Sequence, residues 1–184
     1  MNKEWIDEFI NHMGREKFDI YNEAGLQHEL ALFLRPRADQ SGFKLQLERN
    51  IEFFGITDLP KSEMDIVVFS PDKMSNHCVE LKVPLQGAVP ERMFQFCIDL
   101  AFLEGLKQNG FSSGTAIMVT SDRGFWHGDR AEGLYGAFRR GFMLTGKIMA
   151  PVRRGGLQEV ALSREYRLTW RDLFDGWRCL VVNV

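Results

Sequence analysis

Cysteine is scarce in this 184-residue sequence: only Cys78, Cys97 and Cys179 occur, far apart, with no C-x-x-C pair and no Cys/His spacing of the kind that holds zinc. An odd, scattered set excludes a disulfide framework and fits reduced thiols in a cytoplasmic protein. No stretch approaches 18 uninterrupted apolar residues, and the opening Met1-Asn2-Lys3-Glu4-Trp5-Ile6-Asp7-Glu8 lacks a basic region followed by an apolar run. Neither a membrane span nor an export signal is expected. A Gly-rich phosphate loop is missing, which removes the support for a binder of small phosphorylated ligands. His12, His28, His77 and His127 show no ligand spacing, and no internal repeat or low-complexity segment is present. A large net charge is also lacking, 23 Lys+Arg standing against 25 Asp+Glu for a formal charge of -2.

What is there is an ordinary globular composition, 45% hydrophobic and 26% charged, on a length that buries one core well, so residues 1–184 are expected to form a single domain. The charge is unevenly spread. Residues 1–122 carry 12 Lys+Arg against 19 Asp+Glu, while residues 123–184 carry 11 against 6. That basic surplus suits a polyanionic partner as well as it suits solvated arginines.

Trp5, Ile6, Phe9, Ile10 and Met13 recur at helical spacing after Asn2, a candidate N-cap, and Gly14 offers a stop. A second helix is expected over residues 20–34, capped by Asp19 and ended by Pro36, with Leu26, Leu30, Phe33 and Leu34 as its buried stripe. Residues 43–54 alternate and predict a strand with one solvated face, whereas residues 64–69 and 77–83 are apolar at almost every position, as central strands are. A helix follows over residues 90–107, with Pro90 in its first turn and Asn109-Gly110 at its end, then a buried strand over residues 115–120. The last strand can return parallel through a crossover, giving an α/β sandwich. Residues 123–141 hold five glycines and read as loop. Residues 144–152, 160–170 and 177–184 read as strands that extend the sheet.

A tight hairpin centred between Asp72 and Lys73 pairs residues whose numbers sum to 145. It sets Asp65 opposite Glu80 and Glu63 opposite Lys82, with Asp65, Glu80 and Lys82 on one face. Facing carboxylates about 5 Å apart repel by about 3 kcal/mol at an effective dielectric near 20. Lys82 offsets part of this, and an oxygen-liganded divalent cation would accommodate both carboxylates. Charges in the middle of central strands are costly without a function, which favours a site over a cross-strand salt bridge. On a helical wheel Glu23 falls close to the centre of the stripe of the second helix, and Gln95 falls between Ile98, Phe102 and Leu106 on the packed side of the third.

Helix with an inward Glu, strand, strand with Met64-Asp65-Ile66-Val67-Val68-Phe69, strand with Val79-Glu80-Leu81-Lys82, helix with Gln95-x-x-x-Asp99-Leu100, strand: over residues 20–120 this resembles the PD-(D/E)XK superfamily of restriction-endonuclease-like nucleases. Met64 stands where that pattern has its proline. The resemblance implies an αβββαβ core whose central mixed sheet is flanked by helices, with residues 121–184 as a strand-rich C-terminal extension. It implies Mg²⁺, with Mn²⁺ as a substitute, held by Asp65, Glu80 and the Leu81 carbonyl. Lys82 would orient and activate the attacking water, Glu23 would be a further carboxylate, and Gln95 would line the site. The implied reaction is phosphodiester hydrolysis of nucleic acid, DNA above all, with a homodimer left open.

In the last third, Arg123, Trp126, Arg139, Arg140, Arg153 and Arg154 are the candidate nucleic-acid contacts, with Phe125 and Lys147 beside them. Their bland counterparts are loop anchors and an exposed basic face. The rival to the nuclease is a nucleic-acid- or protein-binding module on the same fold.

Overall fold

The computed structural model describes residues 3–151 and 159–184. Helix α1 (Lys3–Glu16) precedes α2 (Glu23–Gln40), β1 (Lys44–Asn50), β2 (Glu63–Phe69), β3 (Asn76–Lys82), α3 (Val89–Gln108) and β4 (Ser113–Thr120). Then come α4 (Leu134–Arg140), β5 (Leu144–Met149), β6 (Glu159–Tyr166), β7 (Trp170–Asp172) and β8 (Arg178–Asn183). The class is α/β: six strands form one mixed sheet in the order β1-β2-β3-β4-β8-β7, antiparallel except for β3 and β4, which run parallel across the α3 crossover. Among the described residues, no helix is long and apolar enough to cross a membrane.

Each face of the sheet is covered. α1 and α2 pack Phe9, Met13, Leu26, Leu30 and Leu34 against Ile66, Val68, Val79, Leu81 and Ile117. On the other face α3 and α4 pack Phe96, Leu100, Leu103 and Phe138 against Val67, Cys78, Met118 and Leu180. Near-continuous apolar runs in β2, β3 and β4 follow from burial on both sides. All three cysteines are free thiols inside these cores.

Several boundaries differ from the sequence expectation. Residues 43–54 are not one strand: β1 ends at Asn50 and a 3-10 turn covers Ile51–Phe54, closed by Gly55 in the left-handed region. α1 runs past Gly14, which does not adopt the left-handed conformation that would make it a stop, and its candidate cap Asn2 lies outside the described residues. α2 begins after Asn22, whose side chain accepts from the Gly25 N–H, rather than after Asp19. It also continues through Pro36 to Gln40. Proline deprives the Leu32 carbonyl of its helical donor, but Leu32 is exposed, so water can serve that carbonyl while the added turn buries Ala38.

In the C-terminal third, β8 extends the sheet as expected and a short edge strand, β7, which was not expected, joins it, but β5 and β6, expected in the same sheet, form a separate two-stranded sheet packed on α3. The glycine-rich stretch contains α4, where a Cβ on Gly136 would meet the Ala131 carbonyl at 2.5 Å. Close approach, not flexibility, uses this glycine.

Candidate functional site

The hairpin register is the one expected: Ile66 pairs with Val79, Val67 with Cys78, Val68 with His77 and Phe69 with Asn76. Its turn is tied by Ser75 N–H to Ser70 Oγ at 3.0 Å and Met74 N–H to Asp72 Oδ1 at 3.0 Å. The ladder stops at Ile66–Val79, although β1 follows β2 back to Glu63 and β4 follows β3 out to Lys82. The two central strands therefore fork, and side chains take over the groups that the ladder leaves free. Asp65 Oδ2 accepts the Leu81 N–H at 2.6 Å, Glu80 Oε1 accepts the Asp65 N–H at 3.4 Å, and Gln27 Nε2 donates to the Asp65 carbonyl at 2.7 Å.

Four carboxylates and two ammonium groups converge at the fork. Glu80 is 1% exposed and Asp99, from α3, 2%. Lys61, two residues before β2, donates to Glu80 Oε2 and to Asp99 Oδ1, the latter at 3.0 Å. Lys82 Nζ donates to the Leu81 carbonyl at 2.7 Å and pairs with Asp99 Oδ2 at 3.3 Å and Glu23 Oε1 at 3.5 Å. Glu23, the first residue of α2, also accepts the Val83 N–H at 3.4 Å. A cleft of about 230 Å³ opens beside them, lined by Glu23, Ala24, Gln27, Glu48, Asp65 and Leu81.

The electrostatics follow from crowding in a dry place. Burial, then repulsion from Asp65 and Asp99, pushes Glu80 up to about 8 against the pull of Lys61. Burial likewise raises Asp99 against the pull of Lys82 and Lys61, and raises Glu23 against Lys82. Burial opposes the charge on both lysines, yet the carboxylates outweigh it and hold Lys61 and Lys82 above the ordinary lysine range. Among the described residues, four ionised carboxylates against two ammoniums would leave two negative charges in excess, and a proton on Glu80 lowers that to one.

A pH dependence results. Glu80 holds its proton more tightly in the folded chain, so its stabilising contribution is complete below about pH 4.5 and is lost as pH rises toward 8. Each unit of difference is worth about 1.4 kcal/mol. His77, held down to about 4 chiefly by burial, acts in the opposite sense only below its ordinary 6.5. Between pH 6.5 and 8 in metal-free buffer the urea midpoint is expected to fall, and Glu80→Gln to remove most of that slope. An equal slope in the variant would contradict the assignment.

Of the residues expected from sequence, the structure brings together Glu23, Asp65, Glu80, Leu81 and Lys82. Gln95 is not on the packed side: it is exposed and its Oε1 accepts from Arg92 Nη1 at 2.9 Å. α3 is buried nearly all round, by sheet, α4 and the β5–β6 pair, so a wheel gives little contrast there. The inward polar residue is Asp99, one turn on. Lys61 was not foreseen, and Asp99 stood in the quoted pattern without a role, though an aspartate inside the apolar run Phe96-Cys97-Ile98-Asp99-Leu100 is itself a signal of a partnered buried acid.

The basic candidates divide. Arg139 is spent on the backbone, donating to the Gly124 carbonyl through Nε at 2.9 Å and to the Arg130 carbonyl at 3.2 Å. Trp126 packs on Trp170 with ring centroids 5.4 Å apart beneath the Arg178 guanidinium, and Phe125 is buried. Lys147 pairs with Glu159 at 2.6 Å. Arg123 and Arg140 are exposed, Arg140 also donating to the Gly128 carbonyl at 3.2 Å, whereas Arg153 and Arg154 lie outside the described residues. Since β3 and β4 are parallel, Arg123, just past the end of β4, lies at the same end of the sheet as Lys82.

Among the described residues, no group of three or more His, Cys, Asp or Glu is arranged as a ready metal cage. The oxygens at the fork face N–H donors instead. Comparisons with protein-family models, with curated proteins and with solved structures each returned no match.

Proposed function

We propose that this protein is a Mg²⁺-dependent nuclease that hydrolyses phosphodiester bonds of nucleic acid, with DNA as the expected substrate, on a restriction-endonuclease-like core made by α2, β1, β2, β3, α3 and β4. The observation that carries this reading is the convergence of Glu23, Asp65, Glu80 and Lys82, from three elements, on one fork in the sheet.

The residues suit the cation. Asp65, Glu80 and the Leu81 carbonyl are hard oxygen donors, and with Glu80 ionised the excess of two negative charges is what a divalent ion neutralises. Mg²⁺, when bound there, would polarise a phosphate oxygen and acidify a water. The chain's own residues do the rest. Lys82, fixed by the Leu81 carbonyl, Glu23 and Asp99, presents an ammonium that orients the attacking water and balances charge developing on phosphate. Asp99 holds that ammonium in place from beneath. Arg123 and Arg140, exposed, would meet flanking phosphates.

A second reading, a binding module without chemistry, is favoured by one observation: Asp65, Glu80 and the Leu81 carbonyl each already accept from an N–H donor. Thermal melting separates the two. At a cation concentration about a hundredfold over its Kd, linkage gives about 2.7 kcal/mol, or roughly 5–11 °C for a chain of this size. Asp65→Asn is expected to abolish the shift. A wild-type shift under about 1 °C, together with no cleavage of single- or double-stranded DNA in Mg²⁺ or Mn²⁺, would sink the nuclease.

A further inference from the structure

Lys61 belongs to neither the hairpin nor any helix, yet it pairs with both fully buried acids of the site, Glu80 and Asp99. Its ammonium lies against Glu80 Oε2 and Asp99 Oδ1 and is three-quarters covered. Its loop is anchored: Leu59 fills the notch at Gly105 of α3, where a Cβ would meet its Cδ2 at 2.5 Å, and Pro60 precedes the lysine. The position is therefore built, not incidental. Asp99 supplies a second observation, because its buried Oδ2 accepts no hydrogen bond among the described residues and faces the Lys82 ammonium at 3.3 Å.

We infer that Lys61 is the resident cation of this site, holding Glu80 in the metal-free protein and competing with the divalent ion for it. This rests on the metal reading of Asp65 and Glu80. The exchange requires little movement, since Lys61 can release Glu80 Oε2 while keeping Asp99 at 3.0 Å. Lysine and metal thus alternate on one carboxylate. The device keeps the two buried acids neutralised without metal, and it weakens the site for any cation that cannot displace a tethered ammonium. Monovalent ions, with half the charge of Mg²⁺, are the ones excluded.

The test is Mn²⁺ titration by calorimetry at pH 8 on the full chain as wild type, Lys61→Met, Lys61→Gln and Lys61→Arg, with circular dichroism to confirm folding. Lys61→Gln keeps a hydrogen-bond donor for Glu80 and guards against a methionine variant that does not fold. Expected are at least about tenfold tighter Mn²⁺ binding in the two neutral variants, wild-type affinity in Lys61→Arg, and a lower metal-free melting temperature in the neutral pair. Binding by the neutral variants but not by wild type supports the competition in its strongest form. Wild-type binding that is not tightened by either neutral substitution overturns the competition and leaves the metal site standing. No binding by any of the four overturns both.

Discussion

On the proposed reading, Lys82→Ala is expected to lower Mg²⁺-dependent cleavage by about a hundredfold or more, as when one group that stabilises developing charge is removed. The ammonium is held by three oxygens from three elements, the Leu81 carbonyl at 2.7 Å, Asp99 at 3.3 Å and Glu23 at 3.5 Å. Such fixing suits a group whose placement counts in the proposed reaction. Lys82→Arg keeps the charge but carries a planar fork on a different stem, which cannot reproduce these three contacts, so it should fold and remain nearly inactive. Removal of the ammonium also strips Asp99 and Glu23 of a counter-charge, and a fall in stability is expected alongside. Initial rates on a DNA substrate, measured with melting curves for each variant, distinguish the two effects: activity within tenfold of wild type in a folded Lys82→Ala protein would remove Lys82 from the chemistry.

The largest effect on stability is expected far from that site, at Glu104. This carboxylate of α3, 5% exposed, accepts four hydrogen bonds from β6: the Ser163 N–H at 2.7 Å, the Ser163 hydroxyl at 2.8 Å, the Arg164 N–H at 2.9 Å and the Tyr166 hydroxyl at 2.9 Å. One side chain thus satisfies two backbone donors on a strand edge and rivets the β5–β6 pair to the helix. Burial, then Glu104 itself, holds the Tyr166 hydroxyl above the ordinary phenol range, which keeps it a donor. In Glu104→Ala each stranded donor costs on the order of 1–3 kcal/mol. The adjoining cleft of about 410 Å³, lined by Glu104 and Ser163, admits water and recovers part of this. A net loss of about 4 kcal/mol is expected, or roughly 8–16 °C in Tm, read by thermal or urea denaturation. Glu104→Gln, which turns one acceptor into a donor facing donors, should lie between. A loss below about 1 kcal/mol in the alanine variant would mean that β6 is held by its apolar contacts alone.

The hairpin was legible because two local rules agree on it. A turn at Ser70 to Ser75 fixes the register, and the period of two then decides the faces, so Asp65, Glu80 and Lys82 could be placed from residue numbers. Glu23 was legible by helical phase. The mixed sheet was legible from the order of apolar runs. Lys61 was not, because it reaches the site from a loop whose path depends on Leu59 docking at Gly105, a contact with no local signature. Gln95 was misplaced, and α4 missed, because a helix buried all round has no polar face to phase against and three glycines mask a short helix. Pro36 misled for a related reason: a local rule against helix was overridden by where the helix faces water.

The fork between β2 and β3 also breaks the sheet at the place where the proposed chemistry would occur. Two strands that could zip on past Ile66 and Val79 are wedged apart by acids that occupy the donors of the missing rungs. The same acids hold Lys61 and the Leu81 N–H, so replacing Asp65 and Glu80 with uncharged residues would leave an ammonium and a backbone donor short of partners before the strands could close. On the proposed reading, the cohesion that the two strands forgo at the centre of the sheet is what makes room for a cation and a phosphate.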